Sequence, residues 1–116
     1  MKVYGYKNCG TCKKAEKWLK ARDIAYESIP IVDKPPSHAV LKKALKTGRY
    51  ELKHLFNTSG GQYRELDMKS KLPTMTQAEA LKLLAGNGML CKRPIIVDGE
   101  KVTVGFKEAV FEEVWG

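Results

Sequence analysis

Hydrophobic and polar positions along the chain fall into blocks of two different periods. Lys2 to Tyr6 has the short alternation of a strand and stops at the polar pair Lys7-Asn8. From Cys9 onward the period lengthens: Ala15, Trp18, Leu19 and Arg22 recur three and four positions apart, while Lys13, Lys14, Glu16, Lys17 and Lys20 fill the opposite face. This predicts one amphipathic helix. Ile24 to Ile29 reads as extended again and ends at Pro30. Strand, helix, strand in that order implies a right-handed crossover between parallel strands, so the chain opens with a βαβ unit.

Lys34-Pro35-Pro36 interrupts the pattern, and Ser37 is placed to cap a helix whose apolar positions are Val40, Leu41, Ala44 and Leu45, with Gly48 ending it. A short helical piece over Glu51 to Phe56 runs into Asn57-Thr58-Ser59-Gly60-Gly61, which reads as a loop. Thr76-Gln77-Ala78-Glu79 has the form of a capping box and leads into Ala80, Leu81, Leu84 and Ala85; Gly86-Asn87-Gly88 should stop that helix. Ile95-Ile96-Val97 and Val102-Thr103-Val104, separated by Asp98-Gly99-Glu100-Lys101, predict a hairpin. Phe106, Val110 and Val114 trace a closing helix. No repeat or low-complexity tract interrupts the series, and the expected organisation is one α/β domain over residues 1–116 with a helical insertion at about 35–88.

Composition changes this picture little. Of the 116 residues, 43% are hydrophobic and 29% charged, which excludes disordered, collagenous and membrane-spanning classes. Met1 to Tyr6 runs straight into a strand pattern without an apolar leader, so the expected location is cytoplasmic. Charge is more informative. Lys and Arg number 21 against 13 Asp and Glu, giving +8, and residues 34–72 hold nine basic and three acidic side chains of that total. The insertion is therefore the basic surface and favours anionic partners. It has no recognisable nucleic-acid reading motif and few aromatics, so direct nucleic-acid binding is not expected and a solvated basic face is the plainer reading.

Three cysteines cannot all pair within one chain, and two of them form Cys9-Gly10-Thr11-Cys12 at the junction of the first strand and helix. Free amide donors and the positive end of the helix dipole favour a thiolate there, with Lys13 and Lys14 adding charge. Cys9, at or before the N-cap, would be the exposed nucleophile; Cys12, a turn inside, could attack only a disulfide already formed on Cys9. That division of labour is thiol–disulfide exchange. Two plainer readings stand beside it. A zinc site needs four ligands, yet only Cys91, His38 and His54 remain and none forms a second pair at finger-like spacing. A purely structural pair of small buried residues is the other. Cys91 reads as a buried thiol unless folding brings it to Cys9. Arg93 reads as a surface charge and Pro94 as a strand-opening proline, whose isomer composition does not give.

Tyr4 through Leu19 with its Cys9-Gly10-Thr11-Cys12, Lys92-Arg93-Pro94-Ile95-Ile96-Val97-Asp98-Gly99, and Val104-Gly105-Phe106 together resemble the glutaredoxin-coupled arsenate reductase family, including its Spx/MgsR regulator branch. The resemblance covers nearly the whole chain in order. It implies a thioredoxin-like fold with a four-stranded mixed sheet, the insertion between a βαβ and a ββα half, and Pro94 in the cis form beside the reactive cysteine. It further implies Cys9 as nucleophile, Cys12 as its resolving partner, and Arg93 as an oxyanion holder, with Gly10, Thr11 and Pro94 as the binding surround. The reductases usually carry serine where this chain has Cys12, which it shares with the regulator branch. They also use arginines in the segments that here read Asn57-Thr58-Ser59 and Gly105-Phe106, so two of three oxyanion arginines are missing, with Arg49 and Arg64 as substitutes to be tested. The implied activity is a thiol–disulfide oxidoreductase acting on a small oxyanion or disulfide. It needs no bound cofactor or metal, and an external thiol, glutathione with glutaredoxin or a thioredoxin-type protein, serves as electron donor. The regulator branch implies instead a redox switch binding the C-terminal domain of the RNA polymerase α-subunit, with Gly48 near a contact position and the chain stopping at Trp115-Gly116 without the basic tail of several such regulators.

Overall fold

A computed structural model describes all residues, 1–116. Strands β1 (Lys2–Gly5) and β2 (Glu27–Pro30) flank helix α1 (Gly10–Ala21). The insertion carries helices α2 (His38–Lys46), α3 (Gly61–Glu65), α4 (Met68–Lys71) and α5 (Gln77–Gly86). Strands β3 (Ile95–Asp98) and β4 (Lys101–Val104) and helix α6 (Glu108–Trp115) complete the chain. The strands form one mixed sheet in the order β2-β1-β3-β4, with β1 parallel to β2 and antiparallel to β3. This is the α/β, thioredoxin-like sheet expected from the sequence. Pro30 sits at the end of the edge strand β2, where its missing N–H leaves no ladder bond unmade.

Strand alternation sorts the core into two layers. Val3 and Ile96 point to one face, where they pack with Ala15, Trp18 and Leu19 of α1 and Phe111 of α6. Tyr4, Ile95, Val97 and Val102 point to the other, against Leu41 and Ala44 of α2 and Ala80, Leu81 and Leu84 of α5. Central strand β3 is therefore buried on both sides, which is why it reads as an unbroken apolar run. Thr103, the one polar side chain in the core, accepts a hydrogen bond from the Trp115 indole at 3.0 Å.

Several boundaries differ from expectation for local reasons. Strand β2 starts at Glu27 rather than Ile24, because the Asp23 and Ile24 amides donate back to Lys20 and Leu19 and turn the chain with Asp23 at φ 54°. The stretch from Glu51 contains a 3₁₀ turn over Leu52–Leu55. Helices α3 and α4 follow the expected loop at 57–61, in a part of the helical insertion to which no individual element was assigned. They are too short to show a period, and only Met68 of the two is buried. The hairpin turn is the two-residue pair Gly99-Glu100, and Asp98 pairs with Lys101 inside the ladder. Helix α6 begins at Glu108, leaving Phe106 outside it, edge-on to Phe111 at 4.8 Å. The expected Thr76–Glu79 capping box is present in both directions, and the backbone and hydroxyl of Thr76 hold the Glu79 carboxyl below the usual range.

The insertion is pinned to the sheet at one point of very close approach. Gly88 is buried against the backbone leaving β2, and a Cβ there would lie 1.9 Å from the Ile31 carbonyl oxygen. Nothing flexible could yield, since the opposing atoms are backbone. Gly88→Ala is therefore expected to cost about 3 kcal/mol; a urea unfolding midpoint equal to that of the natural chain would refute this packing.

Candidate active site

The site is built at the C-terminal end of β1. The Cys9 amide donates to the Tyr6 carbonyl at 3.1 Å, closing the turn that follows the strand. Cys9 itself is the N-cap of α1, with extended backbone, and its Sγ accepts the Cys12 amide at 3.3 Å. A sulfur thus occupies the place where serine or aspartate ordinarily caps a helix. The first turn of α1 contains no acidic residue, so nothing local opposes a negative charge there.

The two sulfurs have opposite environments. Cys9 is partly exposed, whereas Cys12 is buried beneath it. Burial pushes the Cys9 thiol up, but hydrogen bonds from the Cys12 thiol and amide, together with the neighbouring Arg93 guanidinium, outweigh it and leave Cys9 below the ordinary thiol value. Burial pushes Cys12 up to about 12, helped by its hydrogen bond to Cys9 and by Cys9's charge. One thiol is set up to ionise and the other to stay protonated beside it. The influence of Cys9 on Cys12 also ends once Cys9 forms a covalent adduct and loses its charge.

Arg93 and Pro94 come to this point from the other half of the chain. Tyr4 of β1 pairs with Ile95 of β3, which carries residues 93 and 94 to the end of the sheet where Cys9 lies. The Arg93-Pro94 bond is cis. The Arg93 guanidinium lies over the Tyr6 ring, 4.7 Å from its centroid, and its Nη1 is buried without a hydrogen-bond partner. A buried cationic donor left open beside a sulfur with a lowered pKa is suited to an anionic ligand. Gly10 and Thr11 are exposed above the helix start, and a Cβ at Gly10 would meet nothing within 4 Å, so approach to Cys9 is open from that side.

The remaining candidates lie elsewhere. Cys91 is fully buried, and its Sγ donates to the Leu84 carbonyl at 3.4 Å; burial pushes it to about 12, the behaviour of a structural thiol. Arg49 is engaged by Glu113, 2.8 Å away, and Arg64 is exposed on α3, so neither takes the place of a missing oxyanion arginine. Gly48 is exposed after α2 at φ 77°, a conformation that by itself calls for glycine. No group of three or more His, Cys, Asp or Glu is arranged to hold a metal ion, and no helix is long and apolar enough to cross a membrane. Sequence reasoning missed Tyr6 as the platform under Arg93. The only available signal was its position just before the cysteine pair.

The family model described as ArsC family matches residues 4–114. An uncharacterised Bacillus subtilis protein, YusI, is 53% identical over 112 residues, covering 97% of this chain and 95% of its own. The regulatory protein MgsR of the same organism is 29% identical over 103 residues, 89% of this chain and 80% of its own. Among solved structures, an ArsC family related protein from Bacteroides fragilis superposes with TM-score 0.90 at 44% identity, covering 97% of this chain and 95% of its own. A possible arsenate reductase from Streptococcus mutans superposes with TM-score 0.88 at 37% identity and the same coverage. With the family model spanning nearly the whole chain and both solved structures superposing on it over almost their full length, the chain belongs to the ArsC family.

Proposed function

We propose that this protein is a thiol–disulfide oxidoreductase in which Cys9 is the nucleophile and Cys12 the resolving thiol. The observation that carries the reading is the opposed state of the two sulfurs: Cys9 lowered and partly exposed, Cys12 raised and buried in contact with it. The Cys9 thiolate attacks a sulfur of an oxidised substrate and the substrate's leaving thiolate departs. Cys12 then loses its proton and attacks Cys9 Sγ, releasing the second thiolate and closing a Cys9–Cys12 disulfide. An external thiol, glutathione or a thioredoxin-type protein, returns the pair to the dithiol. Arg93 and the amides of α1 steady the negative charge on the reacting sulfurs. Inorganic arsenate is a poor fit, since Arg93 is the one arginine against Cys9. A cytoplasmic setting, in which thiols remain reduced, suits the chemistry.

A second reading has its own support. The chain is 29% identical to MgsR and 28% identical to the global transcriptional regulator Spx of Streptococcus mutans. In that reading the pair is a switch governing attachment to the RNA polymerase α-subunit. A pull-down with purified α-subunit separates the two. Retention that responds to oxidation of the pair, without disulfide turnover, would replace the enzyme reading.

The reactivity of Cys9 toward iodoacetamide should rise with pH and level off below the range of an ordinary thiol, because the lowered group ionises earlier. Arg93→Gln should move the profile to higher pH and slow alkylation at pH 7 about tenfold, the worth of one charge-assisted hydrogen bond; an unmoved profile would remove Arg93 from the site. Cys9→Ser should abolish disulfide reduction. Cys12→Ala should leave the substrate thiol attached to Cys9, visible as added mass in intact-protein mass spectrometry, and the absence of such an adduct would refute the resolving role.

A further inference from the structure

Arg93 is held differently from the other arginines that pack against the fold. Arg22 lies over the Trp18 ring at 3.9 Å but also meets the Glu112 carboxylate, and Arg49 meets Glu113. In both, a carboxylate fixes the guanidinium and cancels its charge. Arg93 is half-buried and makes no ion pair, and its Nη1 has no hydrogen-bond partner. What lies against it instead is the Tyr6 ring, with its centroid 4.7 Å from the guanidinium carbon. An aromatic face attracts a cation through its quadrupole and carries no net charge. It can therefore keep the guanidinium in place and leave the whole positive charge to Cys9. A carboxylate in that position would also hold Arg93, but its own charge would oppose a thiolate.

Residue 6 is tied to the two cysteines through its backbone. Its carbonyl accepts the Cys9 amide at 3.1 Å, and its amide donates toward the Cys12 sulfur. Its half-buried ring packs against the core layer that contains Tyr4 and Ile95, the pair on the strands that bring Cys9 and Arg93 together. The turn that sets the cysteine in place thus sets the ring as well. The hydroxyls of Tyr26 and Tyr50 find partners within the chain and that of Tyr6 does not, which leaves the ring as the part of the side chain that acts.

We propose that Tyr6 is a positioning residue, whose ring holds the Arg93 guanidinium beside the Cys9 sulfur with its charge uncancelled and so sets the speed at which Cys9 attacks. The inference rests on Cys9 as the nucleophile of the oxidoreductase reading and adds a residue that acts on it through Arg93. The titratable and charged groups bearing on Cys9 are Cys12 from α1 and Arg93 from the segment before β3, and the ring carries the second of these.

Alkylation of Cys9 by iodoacetamide, in which its sulfur displaces iodide, reads this contact without any disulfide substrate. At pH 7 the rate should fall about threefold in Tyr6→Leu, the worth of a partly exposed cation–π pair, and the pH profile should move upward; an unmoved profile overturns the proposal. Well above the ordinary thiol range, where Cys9 is ionised in both proteins, the deficit should close. A deficit that persists there reads lost access rather than lost charge and overturns the proposal. Tyr6→Phe keeps the ring and should restore the natural profile. With Arg93→Gln already present, Tyr6→Leu should slow alkylation no further, and a second threefold loss would overturn the role through Arg93. If Tyr6→Leu does not fold, phenylalanines of increasing ring fluorination at position 6 keep the shape while removing the negative face. The rate at pH 7 should then fall as fluorine is added, and a flat series overturns the proposal. Disulfide turnover is followed separately: its absence removes the oxidoreductase reading and leaves the alkylation rates to decide on Tyr6.

Discussion

The Cys12 amide donates to the Cys9 sulfur, and through that bond the reactive group is fixed to the core. Helix α1 is seated by Ala15, Trp18 and Leu19 against Val3 and Ile96, so the direction of its first amides is decided by packing several residues away. The Cys9 amide in turn holds the end of β1 through the Tyr6 carbonyl. The Cys9 backbone therefore cannot drift from the helix terminus without unseating either a buried helix or a central strand. A helix start on a mobile loop would carry the same dipole yet would not aim it.

The same seating explains why two cysteines one helical turn apart behave so differently. Position 9 lies outside the helix and meets solvent; position 12 falls on the buried stripe with Ala15 and Leu19. Burial acts on both, but at Cys9 the surrounding donors outweigh it, whereas at Cys12, which spends its own proton on Cys9, burial prevails. Arg93 adds to the contrast from a distant part of the sequence. It reaches the site because β3 runs antiparallel to β1, and the Tyr6 ring supports its guanidinium where no carboxylate is available.

What could be read from the sequence follows the reach of each signal. Helices α1, α2 and α5 were legible because their periods are long enough to stand out and their caps, Ser37 and the Thr76–Glu79 box, are specific. The two hydrophobic strands of the hairpin were legible for a similar reason. Helices α3 and α4 were not, because Met68 alone anchors them by burial and a side-chain bond from Asn87 to Gln62 ties α3 in from 25 positions away. At the site, the cysteine pair was visible as a motif, and Arg93 and Pro94 became visible only through family resemblance, since their meaning depends on a strand pairing that no local pattern encodes. Tyr6 escaped both routes.

Segment charge located a surplus that the fold offsets only in part. Residues 34–72 hold nine basic side chains against three acidic, which directs attention to the insertion. In the folded chain Arg49 of that segment meets Glu113 of α6 and Lys43 meets Glu100 of the hairpin turn, so part of the excess is answered by residues lying well beyond it. Surface pairs of this kind contribute little stability, but they do cancel local charge. Lys92 and Lys107, which make no ion pair and line one groove beside the end of β4, come from outside the insertion. Counting charges along the chain locates a surplus; strand order decides where that surplus can act, because residues 92 and 107 become neighbours of one groove only when β3 and β4 pair.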